Sequence, residues 1–176
     1  SKEASLKYFV LGSFATAIFL YGISFVFGTA QSTNIIGLLE KAPVLIATNK
    51  LFLLGITLVI LGFCFKVSLA PFHAWTPDVY QGAPTPHAAF MATAVKTVSF
   101  AAFLRIAATK VFAGNENLFD FLQWIAVLTM LIGNVAAIIQ GNLKRVLAYS
   151  SIAHSGYILV GVITAGIAKD GSFGAS

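Results

Sequence analysis

Of the 176 residues, 58% are hydrophobic and only 10% charged, with a formal charge of +5 and a mean hydropathy of +0.88. A soluble domain carries about 25% charged residues, so this chain is expected to be solvated by lipid; its lysines and arginines read as membrane-end residues and not as a nucleic-acid surface. The single Cys64 stands in an apolar run without a second thiol, which excludes a disulfide framework and a thiolate metal cluster.

The chain opens on Ser1-Lys2-Glu3-Ala4-Ser5, with no initiating methionine and no signal-peptide pattern, and closes in a polar stretch from residue 169 to 176. Both edges read as cuts in a longer protein, the whole of 1–176 being one membrane domain. Five segments approach the roughly 20 apolar residues that a crossing needs, and they are far longer than the strands of a membrane barrel. The first, 8–28, is uncharged. The second runs uncharged from Leu51 to Phe65 and then meets Lys66 and Pro71, which predicts a discontinuous helix. The third, 88–106, carries Lys96 near its middle; the fourth is 121–139 and the fifth 146–168. The expected fold is an all-α membrane protein of about five transmembrane helices. Gly12, Gly22 and Gly28 in the first segment read as packing positions.

Lys66 and Lys96 dominate the functional reading. A lysine at the centre of a membrane helix costs about 2.5–3.5 kcal/mol, so it needs a partner, a water-filled cavity or an ion path. Pro71 offers no N–H to the carbonyl of Val67, and helical bonding must fail just after Lys66. Such a break survives at membrane depth only inside protein or against water. Freed carbonyls beside Lys66 and His73 could hold a water chain, as in the broken helices of transporters. Lysine and histidine are both suited to exchanging protons there; the competing reading is a simple kink with His73 making one hydrogen bond. For Lys96 the competitor is snorkelling, which the distance to the helix end, roughly 12 Å of rise from His87, disfavours.

In the fifth segment Ser150, His154, Tyr157 and Gly161 recur at helical spacing and form a polar stripe. It could line a proton route with His154 titrating, or it could join helices. Lys144 and Arg145 read as membrane-end anchors. If the helices alternate, one side receives Lys2, Lys7, Lys144 and Arg145 and the other Lys41, Lys50, Lys110 and Lys169, the latter mixed with Glu40, Glu116, Asp120 and Asp170; the first side is slightly favoured as cytoplasmic. The three histidines lack zinc-site spacing, neither a Walker loop nor a dinucleotide fingerprint occurs, and His87 reads as a surface residue.

The stretch Gly62-Phe63-Cys64-Phe65-Lys66-Val67-Ser68-Leu69-Ala70-Pro71-Phe72-His73-Ala74-Trp75-Thr76-Pro77-Asp78-Val79-Tyr80-Gln81-Gly82-Ala83-Pro84 resembles the antiporter-like subunit N family of respiratory NADH:quinone oxidoreductase, complex I. Glu3-Ala4-Ser5-Leu6-Lys7-Tyr8 and Gly141-Asn142-Leu143-Lys144-Arg145-Val146-Leu147-Ala148-Tyr149-Ser150-Ser151-Ile152-Ala153-His154 carry the likeness to both flanks, and Trp75-Thr76-Pro77-Asp78-Val79 favours subunit N over its siblings. His87 departs from the family pattern. The resemblance implies a fourteen-helix antiporter-like fold of which this chain holds about helices six to ten. It implies that Lys66 and Lys96 take part in proton translocation, that His73 and His154 lie on a central polar axis, and that Lys144 and Arg145 open helix ten. The glutamate that pairs with the helix-seven lysine and the terminal channel lysine fall outside these residues; Glu3 is not that glutamate.

The function so implied is a proton-translocating subunit that couples NADH oxidation by quinone to proton pumping through buried Lys66 and Lys96, in a multi-pass protein of the bacterial inner membrane. No cofactor is expected on this chain: flavin, iron-sulfur clusters and quinone belong to partner subunits, and the partners are other membrane subunits of complex I, the lipid bilayer and protons. The alternatives are a cation/proton antiporter or membrane hydrogenase subunit, and a structural membrane element whose lysines pair statically.

Overall fold

A computed structural model describes residues 2–107 and 116–168. Its elements are α1 (Lys2–Ala30), α2 (Ile35–Thr48), α3 (Lys50–Lys66), α4 (Trp75–Gly82), α5 (Thr85–Phe90), a π-helical turn (Met91–Val95), α6 (Lys96–Ala107), α7 (Glu116–Ile139) and α8 (Leu143–Ala168). α5, the π turn and α6 run on as one rod of 23 residues, Thr85–Ala107. That rod, α1, α7 and α8 are each long and apolar enough to cross a membrane, and α3 with the end of α2 makes a fifth candidate, bent by 119°. The expected all-helical membrane architecture is therefore the observed one.

Packing relies on small residues, which let helix backbones approach where lipid supplies no hydrophobic drive. α1 lies on α3 through Gly22, where a Cβ would stand 2.8 Å from the Gly55 carbonyl oxygen. α7 lies on α8 through Gly133, where a Cβ would stand 2.6 Å from the Ala153 nitrogen. Gly22 is thus the packing position the sequence suggests, whereas a Cβ on Gly12 or Gly28 meets nothing within 4 Å. α4 bridges α1 and α8, and α6 touches α3 and α8. The main core gathers Phe52, Ile60, Val67, Leu69, Phe103, Leu122 and Leu159.

α2 is not among the long apolar segments, since its 14 residues include Glu40, Lys41 and Pro43. Local capping specifies it. The Asn34 side chain accepts from the Ile36 and Gly37 amides, and Asn49 ends α2 and begins α3 at once, its amide donating to Leu45 (2.8 Å) while its Oδ1 accepts from Leu51 (3.0 Å) and Phe52 (3.2 Å). α2 turns Ala42 and Ile46 inward and leaves Ile35, Ile36 and Val44 exposed. The starts of α1 and α8 meet α4 at one face, as alternation predicts for Lys7 and Arg145; Lys110, Lys169 and Asp170 of the other set lie outside the described residues.

Candidate functional site

The break between α3 and α4 is where the chain departs furthest from helix, and its amides from Val67 to Ala70 each find an acceptor. Val67 donates to Phe63 (2.9 Å), Ser68 to Phe65 (3.1 Å) and Leu69 to Cys64 (2.8 Å). Ala70 then donates across to Thr129 Oγ1 on α7 (2.9 Å), and Pro71, after a cis peptide bond, has no proton to place. Thr129 passes its own proton to the Ile125 carbonyl (2.6 Å). Ser68 adopts a left-handed φ of 63°, a conformation that costs a non-glycine residue about 1–3 kcal/mol and persists only where its surroundings fix it. Here they do: Ser68 Oγ accepts from Thr76 Oγ1 at 2.7 Å, and the Phe65 carbonyl accepts from the Trp75 indole at 3.3 Å. Val67, Ser68, Leu69, Ala70 and Thr76 are all 0% exposed. The first half of the break, residues 67–70, is thus buried in protein, one of the two settings in which irregular backbone is tolerated at membrane depth.

Lys66 is the last residue of α3, and its side chain is exposed to a cavity of about 860 Å³ bounded by α1, α3, α4 and the α5–α6 rod. Tyr8, Ser13, Thr16, Trp75 and Ser99 share that cavity, among mostly apolar walls. His73, at the other end of the break, is half-buried; its Nδ1 is buried with no hydrogen-bond partner, and it does not line the Lys66 cavity. The two groups expected to share a water chain are thus separated by the sealed backbone of residues 67–70.

Lys96 follows directly on the π turn. A π turn inserts an extra residue into helical bonding, shifts the faces that come after it, and is common at functional sites. Lys96 is only 7% exposed. Its Nζ donates to the Ser151 carbonyl (3.0 Å), to Ser151 Oγ (2.8 Å) and to Ser155 Oγ (3.0 Å), all on α8. An ammonium has three protons, and three neutral oxygens face them. Ser155 Oγ in turn donates to the Ser151 carbonyl at 2.9 Å, which orients its lone pairs toward the lysine. This arrangement gives the ammonium three hydrogen-bond partners in place of its lost hydration, none of them a carboxylate. Snorkelling does not describe Lys96, which is neither lipid-facing nor near its helix end.

The polar stripe expected on α8 does not include Ser151 and Ser155, although two serines one turn apart on an apolar helix are a signal for them. The expected stripe of Ser150, His154, Tyr157 and Gly161 lies on a neighbouring face. His154 is exposed, with Nδ1 2.8 Å from the Ser150 carbonyl and its ring 5.6 Å from that of Tyr157. The Tyr157 hydroxyl accepts from Asn134 Nδ2 at 2.9 Å, joining α8 to α7. Of the four predicted site residues, the fold seats Lys96 in a built hydrogen-bond site, opens Lys66 to a cavity, and leaves His73 and His154 apart from both.

Residues 1–173 match the family described as NADH:quinone oxidoreductase/Mrp antiporter, TM. The chain belongs to this family. Subunit N of the NADH-quinone oxidoreductase of Bdellovibrio bacteriovorus is 69% identical over 176 residues, which are 100% of this chain and 36% of that protein. A subunit N from Koribacter versatilis is 48% identical over 161 residues, 91% of this chain and 32% of that one. Among solved structures, respiratory complex I from Thermus thermophilus matches with a TM-score of 0.75 and 44% identity, over 93% of this chain and 34% of its own. The membrane-bound sulfane sulfur reductase, an archaeal respiratory membrane complex, matches at 0.83 and 33%, over 92% and 33%. The chain spans about a third of the length of the curated relatives it matches. The resemblance to subunit N read from residues 62–84 and 141–154 is borne out.

In this antiporter-family chain, Asp78 on α4 ties three helices together. Its carboxylate accepts from Lys7 (2.8 Å) on α1 and from Arg145 (2.8 Å) on α8, and Arg145 also donates to Gln81 (3.2 Å) and Gln140 (3.0 Å). The Lys7 ammonium, and after it the Arg145 guanidinium, hold the Asp78 carboxyl below its usual range. Arg145 is therefore more than a membrane-end anchor: it clamps the half-helix that follows the break.

Proposed function

We propose that this chain is the central part of a proton-translocating membrane subunit of a bacterial NADH:quinone oxidoreductase, in which Lys66 and Lys96 alternate in protonation as electron transfer proceeds elsewhere. The observation that carries this reading is the Lys96 site: a lysine inside a lipid-solvated bundle, held by three neutral oxygens. Such a site gives the ammonium partners without fixing it there, as a static ion pair with a carboxylate would. Redox chemistry is assigned to partner subunits, with flavin, iron-sulfur clusters and quinone placed there and none on this chain. The other membrane subunits of the complex are its partners, and the bacterial inner membrane is its location. The relative at 69% identity supports the NADH-linked assignment over a separate cation/proton antiporter; the fold alone does not separate them, since the Mrp complex from Dietzia sp. DQ12-45-1b matches it at a TM-score of 0.80 with 24% identity, over 92% of this chain and 29% of its own.

The test is Lys96→Met in the full-length subunit within its complex. Methionine keeps the length and apolar stem of the side chain and removes the titrating group. NADH-driven acidification of inverted vesicles should lose most of its signal while the amount of assembled complex stays at wild type. Full pumping by that variant would refute the assignment.

A further inference from the structure

Thr129 on α7 is 0% exposed. A threonine in an apolar helix can place its own proton on the carbonyl four residues back, as Thr16, Thr48, Thr57 and Thr93 do here. Those four are exposed or half-buried. Thr129 makes the same bond, to Ile125 at 2.6 Å, and its oxygen also accepts the Ala70 amide at 2.9 Å, across 59 residues of sequence. With its one proton given to Ile125, the hydroxyl can only accept toward Ala70. Val67, Ser68 and Leu69 donate to carbonyls of α3 itself, whereas Ala70 donates to another helix. One turn after Thr129, α7 is seated on α8 at backbone distance: a Cβ on Gly133 would stand 2.6 Å from the Ala153 nitrogen. Ala153 lies in the chain between Ser151 and Ser155, the two serines that hold Lys96.

We infer that Thr129 is a positioning residue for Lys66, its hydroxyl fixing the first half of the break on α7 and so setting Lys66 against the α7–α8 pair that holds Lys96. This rests on the reading above that both lysines exchange protons. A buried amide left without an acceptor carries its full desolvation cost. Without Thr129 Oγ1, the segment therefore shifts until the Ala70 amide finds another partner. Residues 67–69, between Lys66 and Ala70, are fully buried and close-packed, so they transmit such a shift to Lys66 instead of absorbing it. The hydroxyl neither touches Lys66 nor carries a proton for it; what it sets is where Lys66 stands in its cavity.

The test compares Thr129→Val, Thr129→Ser, Thr129→Ala and Lys66→Met in the full-length subunit within its complex, with complex content and protons translocated per NADH oxidised measured on the same vesicles. Valine keeps the shape of threonine and removes the acceptor; serine keeps the acceptor and removes the methyl group. Thr129→Val should lower the proton ratio at normal complex content, and Thr129→Ser should restore most of it, a rescue that a packing role would not give. Thr129→Ala removes the same acceptor without setting a methyl group against the amide, and it should lower the ratio even where the valine variant fails to assemble. A wild-type ratio for the valine or alanine variant, a serine variant as impaired as valine, or loss of assembled complex in both valine and alanine variants would each overturn the inference. If Lys66→Met is impaired while Thr129→Val and Thr129→Ala are not, only this inference fails; if Lys66→Met pumps normally, the role proposed for Lys66 fails and this inference with it.

Discussion

At the α3–α4 break the backbone is sealed and the lysine is left open, whereas at the π turn the backbone stays helical and the lysine is sealed. Lys66 ends a helix whose next four residues are fully buried, yet its own side chain reaches into a cavity of about 860 Å³. Lys96 is enclosed by three oxygens from two serines of α8. The difference teaches that the two lysines hold their charge by different means. Lys96 is preorganised by side chains of this chain. Lys66 has room for water or for a group from elsewhere beside its side chain.

The largest effects are expected where a lysine loses the ability to exchange a proton, and the cavity makes Lys66 the cleaner place to ask. Lys66→Arg should abolish most pumping at normal complex content, because a guanidinium remains protonated at any accessible pH. The open cavity accepts the larger head, so the loss would report proton release and not a steric clash. The same exchange at Lys96 would confound the two, since no space surrounds its Nζ. Pumping by Lys66→Arg near the wild-type level, beside a strong defect in Lys96→Met, would leave Lys66 as a fixed charge and break the symmetry of roles proposed for the pair.

An intermediate effect is expected from thinning the Lys96 cage. Ser155→Ala removes one of three acceptors, and a hydrogen bond to a charged group is worth about 1.5–3 kcal/mol, roughly tenfold or more in the population held. Ser151→Ala likewise removes one, and either variant leaves the Ser151 carbonyl and the other serine's hydroxyl in place. Vesicle acidification by each serine variant should therefore fall between wild type and Lys96→Met. If both serine variants pump as wild type, the oxygens are incidental and the contrast with Lys66 loses its basis.

How much of this was legible in the sequence follows from which features are local. The five long apolar segments, the discontinuity after Lys66 and the exposed His87 were readable because length, hydropathy and the missing Pro71 amide act within a few residues. α2 was not, since its short, mixed sequence is organised by the caps Asn34 and Asn49 and by packing of Ala42 and Ile46 on the core. Thr129 was unreadable as the acceptor for Ala70, because 59 residues separate them and nothing near Thr129 announces the pairing. On α8 the helical period offered two polar faces. The titratable His154 drew attention to one, while the placement of α6 beside α8 selected Ser151 and Ser155 on the other.

The smallest effect is expected at His154, and it bounds the comparison from outside. Its ring is exposed in this chain, held at the Ser150 carbonyl and against Tyr157, whose hydroxyl is already engaged by Asn134. None of these contacts reaches the Lys96 cage, and a group at an accessible face can be replaced by water in a hydrated path. His154→Ala should therefore reduce pumping only slightly, with at most a modest loss of complex from weaker α7–α8 contact through Tyr157. Adding Tyr157→Phe separates the two causes, since it removes the hydroxyl that joins the helices and leaves the imidazole in place. Should His154→Ala alone depress the proton ratio as deeply as Lys96→Met, at full complex content, the polar stripe would be part of the route, and Lys96 would exchange its proton along α8 instead of through the serine cage.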